Sequence, residues 1–129
     1  MSYEWAEHTA ELELHVSAAS EELVLQSAMD GLAELLDGGP GPAATKQIRL
    51  EAPDRATLLL AWLEELLFLS ETDGFIPEDA EIVMTSSGLE ATVRGRIDEP
   101  RPVVKAITYH ELEFEPADRD WRARVVLDV

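Results

Sequence analysis

Cysteine is missing from this chain. Its absence excludes a disulfide framework, a thiolate zinc site and a cysteine nucleophile together, and suits the reducing cytoplasm. Lysine is nearly missing too: Lys46 and Lys105 are the only two, and every other basic side chain is arginine. Positive charge is scarce overall, with 10 basic against 27 acidic residues and a formal net charge of -17. Such a surface repels polyphosphate, so strong direct RNA or DNA binding is disfavoured, whereas cations and basic protein surfaces are attracted. Aromatic residues amount to 6%. Trp5, Trp62 and Trp121 are expected as core or edge anchors rather than a base-stacking platform, because no basic groove accompanies them. No apolar run approaches the roughly 18 residues that would span a bilayer, and the first residues carry neither a basic nor an apolar leader region. The expectation is a cytoplasmic chain that is neither secreted nor membrane-spanning.

Motif absences narrow the chemistry further. There is no Gly-x-Gly-x-x-Gly, no Gly-x-x-x-x-Gly-Lys and no Gly-x-Ser-x-Gly, so the common nucleotide-binding and acyl-transfer enzymes find no support. His8, His15 and His110 include no pair at the helical i, i+4 spacing of a metalloprotease. No residue is assigned a catalytic role.

What is present is patterned for one α+β domain spanning residues 1–129. Residues 11–16 alternate Glu-Leu-Glu-Leu-His-Val, the period of a half-buried first strand. Ser20 before Glu21 and Glu22 reads as an N-cap, with Leu25, Met29, Leu32 and Leu36 at helical spacing behind it. Gly38-Gly39-Pro40-Gly41-Pro42 ends that helix in a loop. A strand at 48–52 leads through Asp54 into a second helix, apolar on most sides and therefore the central core element. Strands are expected at 80–85 and 89–97 around Ser86-Ser87-Gly88, then at 103–109, 112–114 and 121–129. The composite is an antiparallel-rich mixed sheet of about seven strands with two helices packed on one face.

Reactive side chains concentrate in two of these segments. Lys105-Ala-Ile-Thr-Tyr109-His110 places a lysine in an arginine-biased chain, where a compact titratable ammonium would do what a guanidinium fork could not. The other reading is a strand-end lysine that merely reaches for water. Glu11 and Asp128 would converge if the first and last strands are neighbours, and two carboxylates at one sheet edge either repel or hold a hard cation. With 27 acids in 129 residues, a chance pairing of carboxylates somewhere is expected and is the better reading on spacing alone. His8 stands at a strand mouth and His15 on the polar phase of the strand, the latter as a surface histidine. Tyr109 either hydrogen-bonds at this tip or fills the strand interface.

Taken in order, Glu7-His8-Thr9-Ala10-Glu11, Trp62-Leu-Glu-Glu-Leu-Leu-Phe68, Lys105-Ala-Ile-Thr-Tyr109-His110 and Val125-Val-Leu-Asp128-Val129 resemble the archease family over most of the chain. Archeases are small proteins that assist the RtcB-type tRNA-splicing RNA ligase. The resemblance implies an archease-like fold and an accessory role rather than an enzyme: promotion of ligase guanylylation by GTP and of multiple turnover in tRNA splicing and RNA repair. It implies that Glu11 and Asp128 hold a divalent metal ion, calcium first, with magnesium and manganese as alternatives. Lys105, His8, Tyr109 and His110 would form the functional tip. Where the family's motif has aspartate this chain has Glu11, and one added methylene moves the carboxylate by about 1.5 Å, enough to alter a coordination sphere. Glu13, two residues on and on the same strand face, is an auxiliary candidate. Outside the resemblance stand two other readings, a stand-alone metal-dependent hydrolase and a metal-independent chaperone-like adaptor.

Overall fold

The computed structural model describes residues 2–8 and 10–129, with every side chain in that set except those of Glu7 and His8. In chain order the elements are β1 (Ser2–His8), β2 (Glu11–Ala18), α1 (Glu21–Leu36), β3 (Ala43–Glu51), α2 (Arg55–Asp73), β4 (Phe75–Met84), β5 (Gly88–Ile97), β6 (Ala106–Ala117) and β7 (Asp120–Asp128). Two helices and seven strands thus make the α+β architecture that the patterning implied. The strands divide into a four-stranded sheet ordered β1-β2-β7-β6 and a three-stranded sheet ordered β3-β5-β4, antiparallel throughout.

Helix boundaries follow from local chemistry. Ser20 is extended and its Oγ accepts from the Leu23 N–H at 3.2 Å, while Glu21 and Glu22 sit against the positive end of the α1 dipole. Asp54 caps α2 in the same way, accepting from the Thr57 N–H at 2.8 Å. At the far end Gly74 takes φ 70°, a left-handed conformation open to glycine, and its N–H closes onto the Leu69 and Ser70 carbonyls.

The second helix is apolar on most sides because it is covered on most sides. It packs against β6, β4 and β3, while α1 packs against β2 and β4, so the helix pair meets both sheets. Leu58, Leu59, Leu60, Trp62, Leu63 and Leu66 of α2 join Leu25, Ala28, Met29 and Leu32 of α1 in the core. Trp62 is completely buried, and its indole N–H donates to the Leu25 carbonyl at 2.8 Å, tying the helices together. In the four-stranded sheet, Leu14, Val16, Ala18, Ala123, Val125 and Leu127 are buried with that core. Alternation sends Glu11, Glu13, His15 and Ser17 to the opposite face.

Two strand assignments change. The strand expected first, at 11–16, is the second, because Ser2–His8 forms β1 ahead of it and pairs along it from Ser2↔Ser17 to His8↔Glu11. The segments expected as separate strands at 103–109 and 112–114 fall, from Ala106 onward, in one strand, β6, whose register is interrupted between Thr108 and Glu113. No helix among the described residues is long and apolar enough to cross a membrane.

Candidate functional site

Register brings the two ends of the chain together. On the β2–β7 ladder Glu11 stands opposite Asp128, and on the β6–β7 ladder Asp128 stands opposite Ala106. Directly opposed residues of an antiparallel pair project to the same face, so the two carboxylates are neighbours. Just beyond the ladders, the Lys105 N–H donates to the Asp128 carbonyl at 2.8 Å and the Val129 N–H to the Ala10 carbonyl at 3.1 Å. Glu11, Lys105 and Asp128 therefore share one end of the four-stranded sheet. Asp128 and Lys105 are exposed and Glu11 is half-buried. The His8 backbone pairs with Glu11 in the same end. The expected role of its side chain, like the Thr9 position of the motif, lies outside the described residues.

Ala10 shapes the entry to this end, with φ 62° in the left-handed region that L-residues rarely adopt. At the other side of the site, β6 holds four residues, 109–112, where its partner strand has the single residue Val125 between Thr108↔Val126 and Glu113↔Arg124. This interruption is wider than a one-residue bulge. It carries Tyr109 with 71% of its surface exposed, so the ring does not fill the strand interface. His110 is exposed beside it, its N–H donating to Thr108 Oγ1 at 3.3 Å, and Glu111 takes φ 54°.

Glu13 lies on the same face as Glu11 and is engaged toward the middle of the sheet. It is only 6% exposed, and its Oε1 lies 2.8 Å from Arg124 Nε and 3.3 Å from His15 Nε2. The Arg124 contact is one of charge rather than a directed hydrogen bond, since among the described residues the Nε–H finds no hydrogen-bond acceptor. Arg124 also donates through Nη2 to Glu111 Oε2. His15, expected as a surface histidine, keeps 41% of its side chain exposed, while Arg124 and Glu111 carry no role in the expected site. Strand alternation alone places Arg124 on the polar face, the one signal that could have marked it.

As a cation site, the tip offers two carboxylates side by side, hard oxygen donors whose mutual repulsion a divalent ion would relieve. The donor chemistry fits calcium, magnesium or manganese, with water completing the shell, as the nearby Ala10 and Asp128 carbonyls are engaged by the backbone. Among the described residues no three histidine or carboxylate side chains cluster so as to hold a metal by themselves. A cleft of about 1230 Å³ opens elsewhere: on the outer face near the β6–β7 turn, lined by Glu4, His15, Asp118, Arg119 and Arg122 among others, at the opposite end of β7 from Asp128.

Comparison with known proteins decides the family. The profile of the Archease protein family (MTH1598/TM1083) matches residues 3–129. The chain belongs to the archease family. The archease of Methanosarcina mazei is 32% identical over 139 residues, covering 98% of this chain and 95% of the relative. That of Methanopyrus kandleri is 31% identical, with both chains fully covered. Among solved structures, protein 1598 of Methanobacterium thermoautotrophicum superposes with a TM-score of 0.77 at 28% identity, covering 98% of each chain. A Thermotoga maritima protein described as an archease and possible chaperone gives a TM-score of 0.69 at 26% identity, covering 96% of this chain and 94% of the other. The archease fold is thus matched along the length of the chain.

Proposed function

We propose that this archease is a protein activator of an RtcB-type tRNA-splicing RNA ligase, promoting its guanylylation by GTP and its multiple turnover in tRNA splicing and RNA repair. The observation that supports this most is the convergence of Glu11, Lys105 and Asp128 at one sheet end, from segments far apart in sequence. In this reading Glu11 and Asp128 hold a divalent cation, calcium first, and Lys105, Tyr109, His110 and His8 complete the surface that meets the ligase. The chain works in the cytoplasm as an accessory factor, and the ligase carries the chemistry. Activation requires that the tip bind the guanylylation-competent state of the ligase more tightly than the idle state, because only differential affinity shifts an equilibrium. The net charge of -17 favours a basic protein partner over RNA as the direct contact.

The test is ligase guanylylation and multiple-turnover RNA joining with GTP and manganese, comparing the unaltered chain with Asp128→Ala and Lys105→Ala, each checked for fold by circular dichroism. Stimulation by the unaltered chain and its loss in both folded variants is the expected result. Normal stimulation by both variants removes the tip from the mechanism.

A second reading has a specific observation behind it, the description of the Thermotoga maritima relative as a possible chaperone. A chaperone-like adaptor would bind its client through the acidic surface without a metal. Binding that is insensitive to chelator and falls steeply with salt would favour it.

A further inference from the structure

Four residues opposite one leave 109–112 without a ladder to hold them, yet the segment has a defined path. What holds it comes from the neighbouring strand β7, backed by β2 beyond it. Arg124 on β7 is the ladder partner of His15 on β2 and of Glu113 on β6, so its side chain projects from the middle of the outer face. Its Nε meets the buried Glu13 carboxylate of β2, and its Nη2 donates to Glu111 at the left-handed position of the interruption. Glu111 Oε2 in turn lies 3.8 Å from His110 Nε2. A run of charges thus connects the buried Glu13 on the outer face to the exposed Tyr109-His110 pair. The Arg124 side chain is 27% exposed and that of Glu13 8%, so this contact is largely screened from water.

We propose that Arg124 is a positioning residue for the Tyr109-His110 segment: anchored by Glu13, it pins Glu111 in its left-handed turn and so presents the two side chains to the ligase. This rests on the reading of the tip as the ligase-binding surface. Arginine suits the task because its extended guanidinium meets two carboxylates at once through different nitrogens, whereas a lysine ammonium is a compact point charge. The left-handed conformation is disfavoured for glutamate, so the segment relaxes when the ion pair is lost.

Four variants of the full chain separate the possibilities: Arg124→Gln, Arg124→Lys, Glu111→Gln and Glu111→Gly. Amide hydrogen exchange of the isolated chain reads the tether without any ligase. Arg124→Gln and Glu111→Gln are expected to speed exchange across 109–112 by about tenfold while the α2 core stays protected, since local opening is set by local contacts. In the ligase assay the same variants raise the concentration of chain needed for half-maximal stimulation by about tenfold and leave the maximum intact, the signature of weakened docking. Arg124→Lys recovers part of both effects. Glu111→Gly, which takes the left-handed turn freely, does not. Because Glu111 is exposed, its variants keep the test available if Arg124→Gln fails to fold.

Unchanged exchange in Arg124→Gln and Glu111→Gln overturns the tether, as does wild-type behaviour of Glu111→Gly, which would make backbone strain and not the ion pair the controlling factor. Faster exchange with unaltered stimulation, while Asp128→Ala abolishes it, overturns the positioning role and leaves the proposed function standing. Absence of stimulation by the unaltered chain overturns the ligase reading and with it the docking role, and hydrogen exchange alone then decides whether the pair holds the segment.

Discussion

Asp128 faces Glu11 across the β2–β7 ladder, so the last strand of the chain returns a carboxylate to the mouth of the β1–β2 hairpin. Like charges directly opposite in a sheet destabilise it, and a divalent ion between them reverses the sign.

Ion binding should therefore invert a stability ranking. In chelator and low salt, Asp128→Asn is expected to be more stable than the unaltered chain by about 0.2–0.5 kcal/mol, the loss of one cross-strand repulsion. With calcium at about 100 times its dissociation constant the unaltered chain gains about 2.7 kcal/mol and overtakes the variant. Urea denaturation with and without calcium, repeated with magnesium and manganese, measures both halves. No stabilisation of the unaltered chain by any of the three ions would remove the metal from the site.

A methyl group at Gly88 should be far more damaging than one at Gly39. A Cβ at Gly88 would lie 1.8 Å from the Leu50 carbonyl oxygen and 2.8 Å from the Glu51 Cα, both backbone atoms of the paired strand β3. Neither can yield without parting β3 from β5, and Gly88→Ala is expected to cost about 2–3 kcal/mol. At Gly39 the nearest atom is the Asp98 carboxylate oxygen at 2.9 Å, the end of a side chain that can swing away. Gly39→Ala should stay within about 0.5 kcal/mol of the unaltered chain. Equal denaturation midpoints for the two variants would contradict the strand-clash account.

Acid should weaken the fold partly through Asp54. Hydrogen bonds from Thr57, its backbone N–H first, hold the Asp54 carboxyl below the ordinary aspartate value, and Lys46 does the same for Asp73 through a hydrogen bond and its charge. A carboxyl depressed in the folded state binds its proton more weakly there than in the unfolded chain. Its contribution is thus complete above the unfolded value of 3.8 and is lost as pH falls through the lower folded value. Asp54→Asn keeps a capping oxygen and removes the titration. Melting temperatures followed down from about pH 5 should fall less steeply for that variant than for the unaltered chain. Parallel curves would mean that the cap contributes nothing to the acid limb.

The parts of the fold visible in the sequence are those fixed by neighbours along the chain. Ser20 and Asp54 start their helices through contacts three residues along the chain, and the apolar spacing of α2 declares its burial without reference to any partner. The Ser86-Ser87-Gly88 turn joined β4 and β5 as its composition implied. Strand β1 escaped because the turn after it carries no glycine or asparagine to announce it: Ala10 takes the left-handed conformation in their place. Alternation of Tyr3 and Trp5 was the available signal. The division into two sheets depends on pairings such as β2 with β7, separated by most of the chain, for which no local residue speaks.

The candidate site was legible to the same limit. Residue chemistry marked Glu11, Lys105 and Asp128 individually, and their meeting was conditional on which strands were neighbours. The ladder registers supply that condition. The contact between Arg124 and Glu111 was not legible at all, because it exists only where 109–112 leaves the ladder, and nothing in the residue types there foretells a left-handed glutamate.

Sheet order makes β6 an edge strand, the place where a chain is exposed to pairing with a copy of itself. Its run of unpaired backbone groups is broken by the four-residue excursion, by Pro116, which offers no N–H, and by the carboxylates of Glu111, Glu113 and Glu115. A second sheet brought up to this side meets discontinuity and like charge. The excursion that lifts Tyr109 and His110 into solvent therefore also closes this border of the sheet to strand addition, keeping the chain from the edge-to-edge growth that begins fibres.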